Sequence, residues 1–147
     1  LKSNFERIAA SGGTSKNTKT ISSNGSQTTT LDDRTVGVLV SLLAAPEFVK
    51  RCVDQNELHY GTNSDNGDEV QGYNYITSNG DPTGYIYYQR NGNTITYKMW
   101  VPDANGYVAT GHFVTKTATI SRLINDYYSN QAQKSEVDGY VSKLQSE

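Results

Sequence analysis

Between Gly84 and Val101 the sequence GYIYYQRNGNTITYKMWV alternates apolar and polar residues on both sides of Asn91-Gly92. Successive strand side chains point to opposite faces, and a two-residue Asn-Gly connection favours a type I′ turn, so a β-hairpin is expected here. That turn pairs Arg90 with Asn93, Tyr88 with Ile95, Ile86 with Tyr97 and Tyr85 with Lys98. One face then carries Ile86, Tyr88, Ile95, Tyr97, Met99 and Val101 and is expected to be core. The other carries Tyr85, Tyr87, Gln89, Thr94, Thr96, Lys98 and Trp100, and is polar but rich in aromatics.

Upstream the period changes. Val36, Leu39, Val40 and Leu43 recur at helical spacing, with Val38 and Leu42 widening the stripe, so a helix buried on more than one side is expected. Asp32 and Asp33 suit its N-terminus, where carboxylates cap and meet the positive end of the helix dipole. Pro46 ends this helix and can open a second one reaching about Asp54, packed through Phe48, Val49, Cys52 and Val53. Short strands follow at Glu57–Gly61 and Gly72–Ser78, and Asn79–Pro82 turns the chain into the hairpin. His112–Leu123 again alternates, with Val114, Ala118 and Ile120 opposite Phe113, Thr115, Thr117 and Thr119. The pattern leaves open whether Arg122–Tyr128 extends this strand or turns helical. Asn130 with Gln133 forms a capping-box pattern, and Val137, Tyr140, Val141 and Leu144 make a helical stripe. The fold class is therefore α+β: an antiparallel sheet of about four to five strands, a meander around hairpin 84–101, packed by an N-terminal kinked helix pair and a C-terminal helix.

Composition divides the chain. Residues 1–30 are dominated by Ser, Thr, Asn, Gly and Lys, with only Leu1, Phe5, Ile8 and Ile21 large and apolar. Such a segment buries too little surface to offset its ordering entropy, so a flexible spacer is expected, followed by one globular domain over residues 31–147. A net charge of −2 with scattered basic residues gives no footprint for nucleic acid. The apolar run Val36–Ala45 is too short to span a bilayer and lies too far from the start for a signal h-region, so a buried helix is expected and no membrane span. One cysteine, Cys52, excludes an intramolecular disulfide.

Candidate chemistry is sparse. Cys52 shares a helical face with Val49 and Val53, where cysteine usually packs as a small hydrophobe. No nucleophile-elbow motif is present, and His59 and His112 lack any zinc spacing. Asn63, Asp65, Asp68 and Glu69 match a calcium loop in composition but not in register, and no carboxylate pair declares itself. No metal, no cofactor and no catalytic residue is therefore assigned, and an enzyme is the less expected reading. The aromatic face remains. If Gly72–Ser78 pairs with Gly84–Gln89, then Tyr73, Tyr75, Tyr85, Tyr87 and Trp100 share the non-core side, where such rings can stack on sugars or anchor a protein. Equally, aromatic residues favour strands and pair across them without any ligand.

Three segments carry a family resemblance: TVGVLVSLLAAPEFVK at Thr35–Lys50, GYNYITSNGDPTGYIYYQRNGNTITYKMWVP at Gly72–Pro102, and GHFVTKTATISRLINDYY at Gly111–Tyr128. Together they resemble small secreted proteins and lipoproteins of lactobacilli, over roughly residues 30–147. The resemblance implies an extracellular or cell-surface location, with secretion or an anchor upstream of residue 1, but no established activity. The resulting expectation is a non-catalytic binding module for a cell-wall glycan, a host glycan or an envelope protein. An envelope-acting hydrolase and an accessory module without a ligand stay open beside it.

Overall fold

The computed structural model describes residues 31–78 and 81–147. The expected spacer over residues 1–30 lies outside the described residues. Helix α1 spans Asp33–Ala44 and α2 spans Pro46–Asp54. Asp32 caps α1 by accepting from the Thr35 amide at 2.9 Å. At Ala45 the backbone leaves helical geometry (φ −157°, ψ 72°), as expected before proline, and Pro46 opens α2. Strands β1 (His59–Gly61), β2 (Asn74–Thr77), β3 (Tyr85–Asn91), β4 (Thr94–Val101) and β5 (His112–Thr119) follow. Helices α3 (Ile120–Tyr127) and α4 (Gln131–Ser142) come next, and a two-residue strand β6 (Gln145–Ser146) closes the order.

These strands form one six-stranded sheet in the order β5-β4-β3-β2-β1-β6, antiparallel except where β6 runs parallel to β1. The α+β class, the meander and its central hairpin are as the periodicity predicts, and β6 extends the sheet beyond the expected strands. Arg122–Tyr128, which the sequence pattern leaves undecided, is helical for most of its length. Thr119 ends β5 and caps α3 by accepting from the Arg122 amide at 3.1 Å, so strand passes into helix without a loop. At α4, Asn130 accepts from the Gln133 amide at 2.8 Å, while Gln133 Oε1 reaches back to the Ser129 amide at 2.8 Å. This is the expected capping box, displaced outward by one residue on its return arm.

The hairpin register differs from expectation by two residues. Asn91 pairs with Thr94, Arg90 with Ile95, Tyr88 with Tyr97 and Tyr87 with Lys98, so the turn is Gly92-Asn93 rather than Asn91-Gly92. Gly92 alone takes a left-handed conformation, at φ +63°. A positive φ confined to the first central position is the type II′ pattern with its leading glycine; type I′ needs both central residues left-handed. The Asn93 carbonyl in this turn accepts from the Ile120 amide at 2.8 Å where α3 begins. A slip of two residues preserves both faces, since side chains alternate with period two.

The helices pack on the face of Ile86, Tyr88, Ile95 and Tyr97, all buried, together with Ile76 of β2. Val36, Leu39 and Val40 of α1 are fully enclosed, and Leu123 and Val137 bring in α3 and α4. Met99 and Val101, on the same face toward the end of β4, are only half-buried. The Tyr88 hydroxyl donates to the Asp33 carbonyl at the start of α1. Gly37 makes that approach possible: a Cβ there would stand 2.6 Å from the Tyr88 hydroxyl oxygen. With this face occupied by helices, the opposite face of the sheet is left to loops.

Candidate functional site

The register places Tyr75 opposite Tyr87 and Trp100 opposite Phe113. Alternation then sets Tyr75, Tyr85, Tyr87, Trp100 and Phe113 on the face away from the helices. The rings form a connected array. Tyr85 and Tyr87 stack nearly parallel at 5.2 Å, and Tyr75 tilts against them at 5.5 and 6.1 Å. Phe113 meets Tyr87 edge-on at 5.8 Å and Trp100 at 4.9 Å. Such offset and edge-to-face pairs add roughly 0.5–1.5 kcal/mol each beyond burial, so the array is rigid as well as apolar. Tyr75 also needs its neighbour Gly61 of β1, where a Cβ would lie 2.2 Å from the ring.

Two loops border this floor. Residues 62–73 close on themselves through the Ser64 amide to Tyr73 carbonyl bond (2.9 Å) and the Gly72 amide to Ser64 carbonyl bond (2.8 Å). Buried Val70 anchors the loop, and the Asn66 side-chain amide donates to the Tyr87 hydroxyl at 3.1 Å. Residues 102–111 are organised by Asp103, whose carboxylate accepts from the amides of Asn105 and Tyr107, each at 2.9 Å, and from the Thr110 hydroxyl. The Thr110 hydroxyl and the Tyr107 amide hold the Asp103 carboxyl below its ordinary range. Trp100 ties this loop to the floor by donating its indole N–H to the Val108 carbonyl at 2.7 Å.

Between the loops lies a cleft of about 380 Å³ lined by Asn66, Pro82, Tyr85, Tyr87, Trp100, Val108, Ala109 and Phe113. This is within the range of small-molecule sites, which run from about 300 to 1,000 Å³ and combine apolar walls with a few polar groups. Of the five aromatic residues expected to form a site, Tyr85, Tyr87 and Trp100 line it. Tyr75 backs Tyr85 and Tyr87 from the side. Tyr73 stands apart, with the Lys98 ammonium 5.4 Å from its ring centre. Tyr87 is only 4% exposed and serves as floor, its burial pushing the phenol pKa up, whereas Tyr85 and Trp100 are half-buried. The cover comes from loops rather than from a helix.

Sequence reasoning did not assign Phe113, Asn66, Pro82, Val108 or Ala109 to the site. Phe113 was within reach, since alternation puts it on the non-core face of its strand; its partner Trp100 follows only once β5 is known to pair with β4. The loop residues carry no periodic signal.

The other candidate groups lie elsewhere. Cys52 is 2% exposed in α2, and burial pushes its thiol pKa up, away from a reactive thiolate. His59 Nδ1 lies 3.3 Å from Glu147 Oε2 at the β1–β6 edge. Among the described residues no group of three or more His, Cys, Asp or Glu side chains is arranged to hold a metal ion.

An α+β domain whose sheet carries helices on one face and a loop-bordered aromatic cleft on the other defines the class. Residues 32–145 match the family described as Lreu_0056_like, hypothetical protein, and the chain belongs to that family. It is also similar to the NMR structure of a hypothetical protein from Lactobacillus reuteri, at 31% identity and TM-score 0.67, over 80% of this chain and 97% of that one. No curated protein matches the chain. Among the described residues no helix is long and apolar enough to cross a membrane.

Proposed function

We propose that this domain is a non-catalytic recognition module of the bacterial cell surface, secreted or anchored as a lipoprotein, that binds a glycan of the cell wall or of a host in its aromatic cleft. The observation that carries this reading is the cleft floor of Tyr85, Tyr87, Trp100 and Phe113, rigidified by ring–ring contacts and by bonds to both loops. Flat aromatic rings offer apolar area to the C–H faces of a sugar, while Asn66 and the tyrosine hydroxyls supply polar contacts at the edges. Pre-organisation supports it further, because little side-chain freedom is left to lose on binding. An envelope-acting hydrolase has less support: among the described residues the cleft lining contains no carboxylate, histidine, serine or cysteine, and Asp68, Glu69 and His112 line the adjoining opening instead of the aromatic floor.

A glycan and peptidoglycan-fragment binding screen tests the reading, with Tyr85→Ala and Phe113→Ala as controls. These two truncate half-buried rings without removing the bonds of Tyr87 to Asn66 or of Trp100 to Val108. Binding that both substitutions weaken at least tenfold, about 1.4 kcal/mol each, is the expected outcome. Binding nowhere in the screen, or binding indifferent to both, overturns it.

A further inference from the structure

Among the described residues, none that lines the cleft described above carries a charged side chain. A second opening shares its Asn66, Trp100 and Phe113 walls and adds Asp68 and Glu69 from loop 62–73, with His112 from the start of β5. Asp68 and Glu69, the two carboxylates of this adjoining opening, are both exposed. Lys98 of β4 lies on the same sheet face. Its ammonium donates to the Glu69 carbonyl at 2.8 Å and lies over the Tyr73 ring, and Lys98 lines neither opening.

We infer that the cleft selects uncharged saccharides and rejects anionic ones, with Asp68 and Glu69 as the residues that determine this specificity; the inference rests on the glycan-binding reading. Two effects act in the same direction. An anionic substituent entering the cleft gives up water for walls that offer neutral hydrogen-bond donors but, among the described residues, no cation, so no opposite charge offsets its desolvation. One projecting from the mouth meets like charge, at a strength that salt reduces because the carboxylates are exposed. Specificity here comes from a repulsive element rather than from an added attraction. Sulfated, phosphorylated or uronate-bearing glycans are the class excluded, and neutral sugar rings the class admitted.

The test measures binding of the full chain to N-acetylated chitotetraose and to maltotetraose, each beside its O-sulfated form, at about pH 8, above the range where imidazoles ordinarily titrate. Each pair is compared in parent and Asp68→Asn/Glu69→Gln protein, at low and high salt. The neutral form is expected to bind about tenfold more tightly than its sulfated counterpart at low salt, the gap narrowing severalfold in the double variant and in high salt. Sulfated forms that bind as well as or better than the neutral ones overturn the selectivity and leave the glycan reading standing. A gap that the double variant preserves removes the role of Asp68 and Glu69. Absence of binding by either form of both backbones, with none in the broader screen, counts against the glycan reading itself.

Discussion

Gly37 and Gly139 both lie inside helices, and the same alanine substitution should move stability in opposite directions at the two positions. Replacing a helical glycine with alanine gains about 1 kcal/mol of intrinsic helix propensity. At Gly139 of α4 nothing lies within 4 Å of the added Cβ. The whole gain is available there, and Gly139→Ala should stabilise the domain by about 0.5–1 kcal/mol. At Gly37 the new Cβ would stand 2.6 Å from the Tyr88 hydroxyl oxygen, 2.9 Å from its Cζ and 3.0 Å from Ile76 Cδ1. Tyr88 is buried and its hydroxyl is held by the Asp33 carbonyl, so moving it aside breaks that bond. Overpacking of this kind costs about 1–3 kcal/mol, and displacing the tyrosine from Asp33 adds about 1 kcal/mol for the lost hydrogen bond. The unfavourable effects outweigh propensity, and Gly37→Ala should destabilise by about 1–3 kcal/mol, or several degrees in Tm for a domain of this size. Urea denaturation followed by circular dichroism reads both changes. A Tyr88→Phe background adds a specific check: removing the hydroxyl that stands closest should make Gly37→Ala less damaging there than in the parent, a coupling visible in a double-mutant cycle. Gly37→Ala protein as stable as the parent, or an additive cycle, would refute the packing account of why α1 carries a glycine within its buried stretch.

Three further outcomes follow from single features. Thr77 is 1% exposed and its hydroxyl has no hydrogen-bond partner among the described residues, so Thr77→Val should leave stability unchanged or raise it by about 1 kcal/mol; a loss of more than about 1 kcal/mol in chemical denaturation would show that the hydroxyl is satisfied after all. Trp100→Phe keeps an aromatic ring in the cleft but deletes the donor to Val108; faster amide exchange at Gly111, whose N–H bonds to that same residue's carbonyl, with exchange in β3 unchanged, is the expected signature. The carboxyls of Asp32, Asp81 and Asp103 are each held low, by the hydrogen bonds of Thr35, Thr83 and Thr110 respectively, each acting together with a backbone amide. A carboxyl with a depressed folded pKa binds its proton more tightly when unfolded. Its contribution is therefore complete above the ordinary aspartate value of about 3.9 and fades as pH falls through the lower folded values. The stability these three carboxyls contribute should persist down to about pH 4 and then decline, and carboxyl chemical shifts should place all three titrations below that ordinary aspartate pH.

Much of this architecture follows from local pattern. The buried stripe of α1, the break at Pro46, the alternation of β3 and β4 and the cap at Asn130 are each written in a few adjacent residues, because propensity, period and capping are short-range effects. The two-faced character of the hairpin belongs with them, and survives the register slip because any even shift preserves it. The register itself is not fixed by that alternation, and in the folded chain the turn also meets the first amide of α3, which donates to the Asn93 carbonyl from far away in sequence. The helical fate of Arg122–Tyr128 likewise turned on whether Thr119 would close β5 and cap what followed. For the site the division is sharper. Tyr85, Tyr87 and Trp100 could be set on one face by counting alternate residues, but counting does not show what stands above them. Loops 62–73 and 102–111 convert that face from a platform into a cleft, and their residues have no periodicity by which to be found. Asn66 reaches Tyr87, and Val108 reaches Trp100, through single hydrogen bonds whose partners only the folded chain brings together. A sheet face is a property of sequence spacing; a cavity is a property of what the chain folds over it.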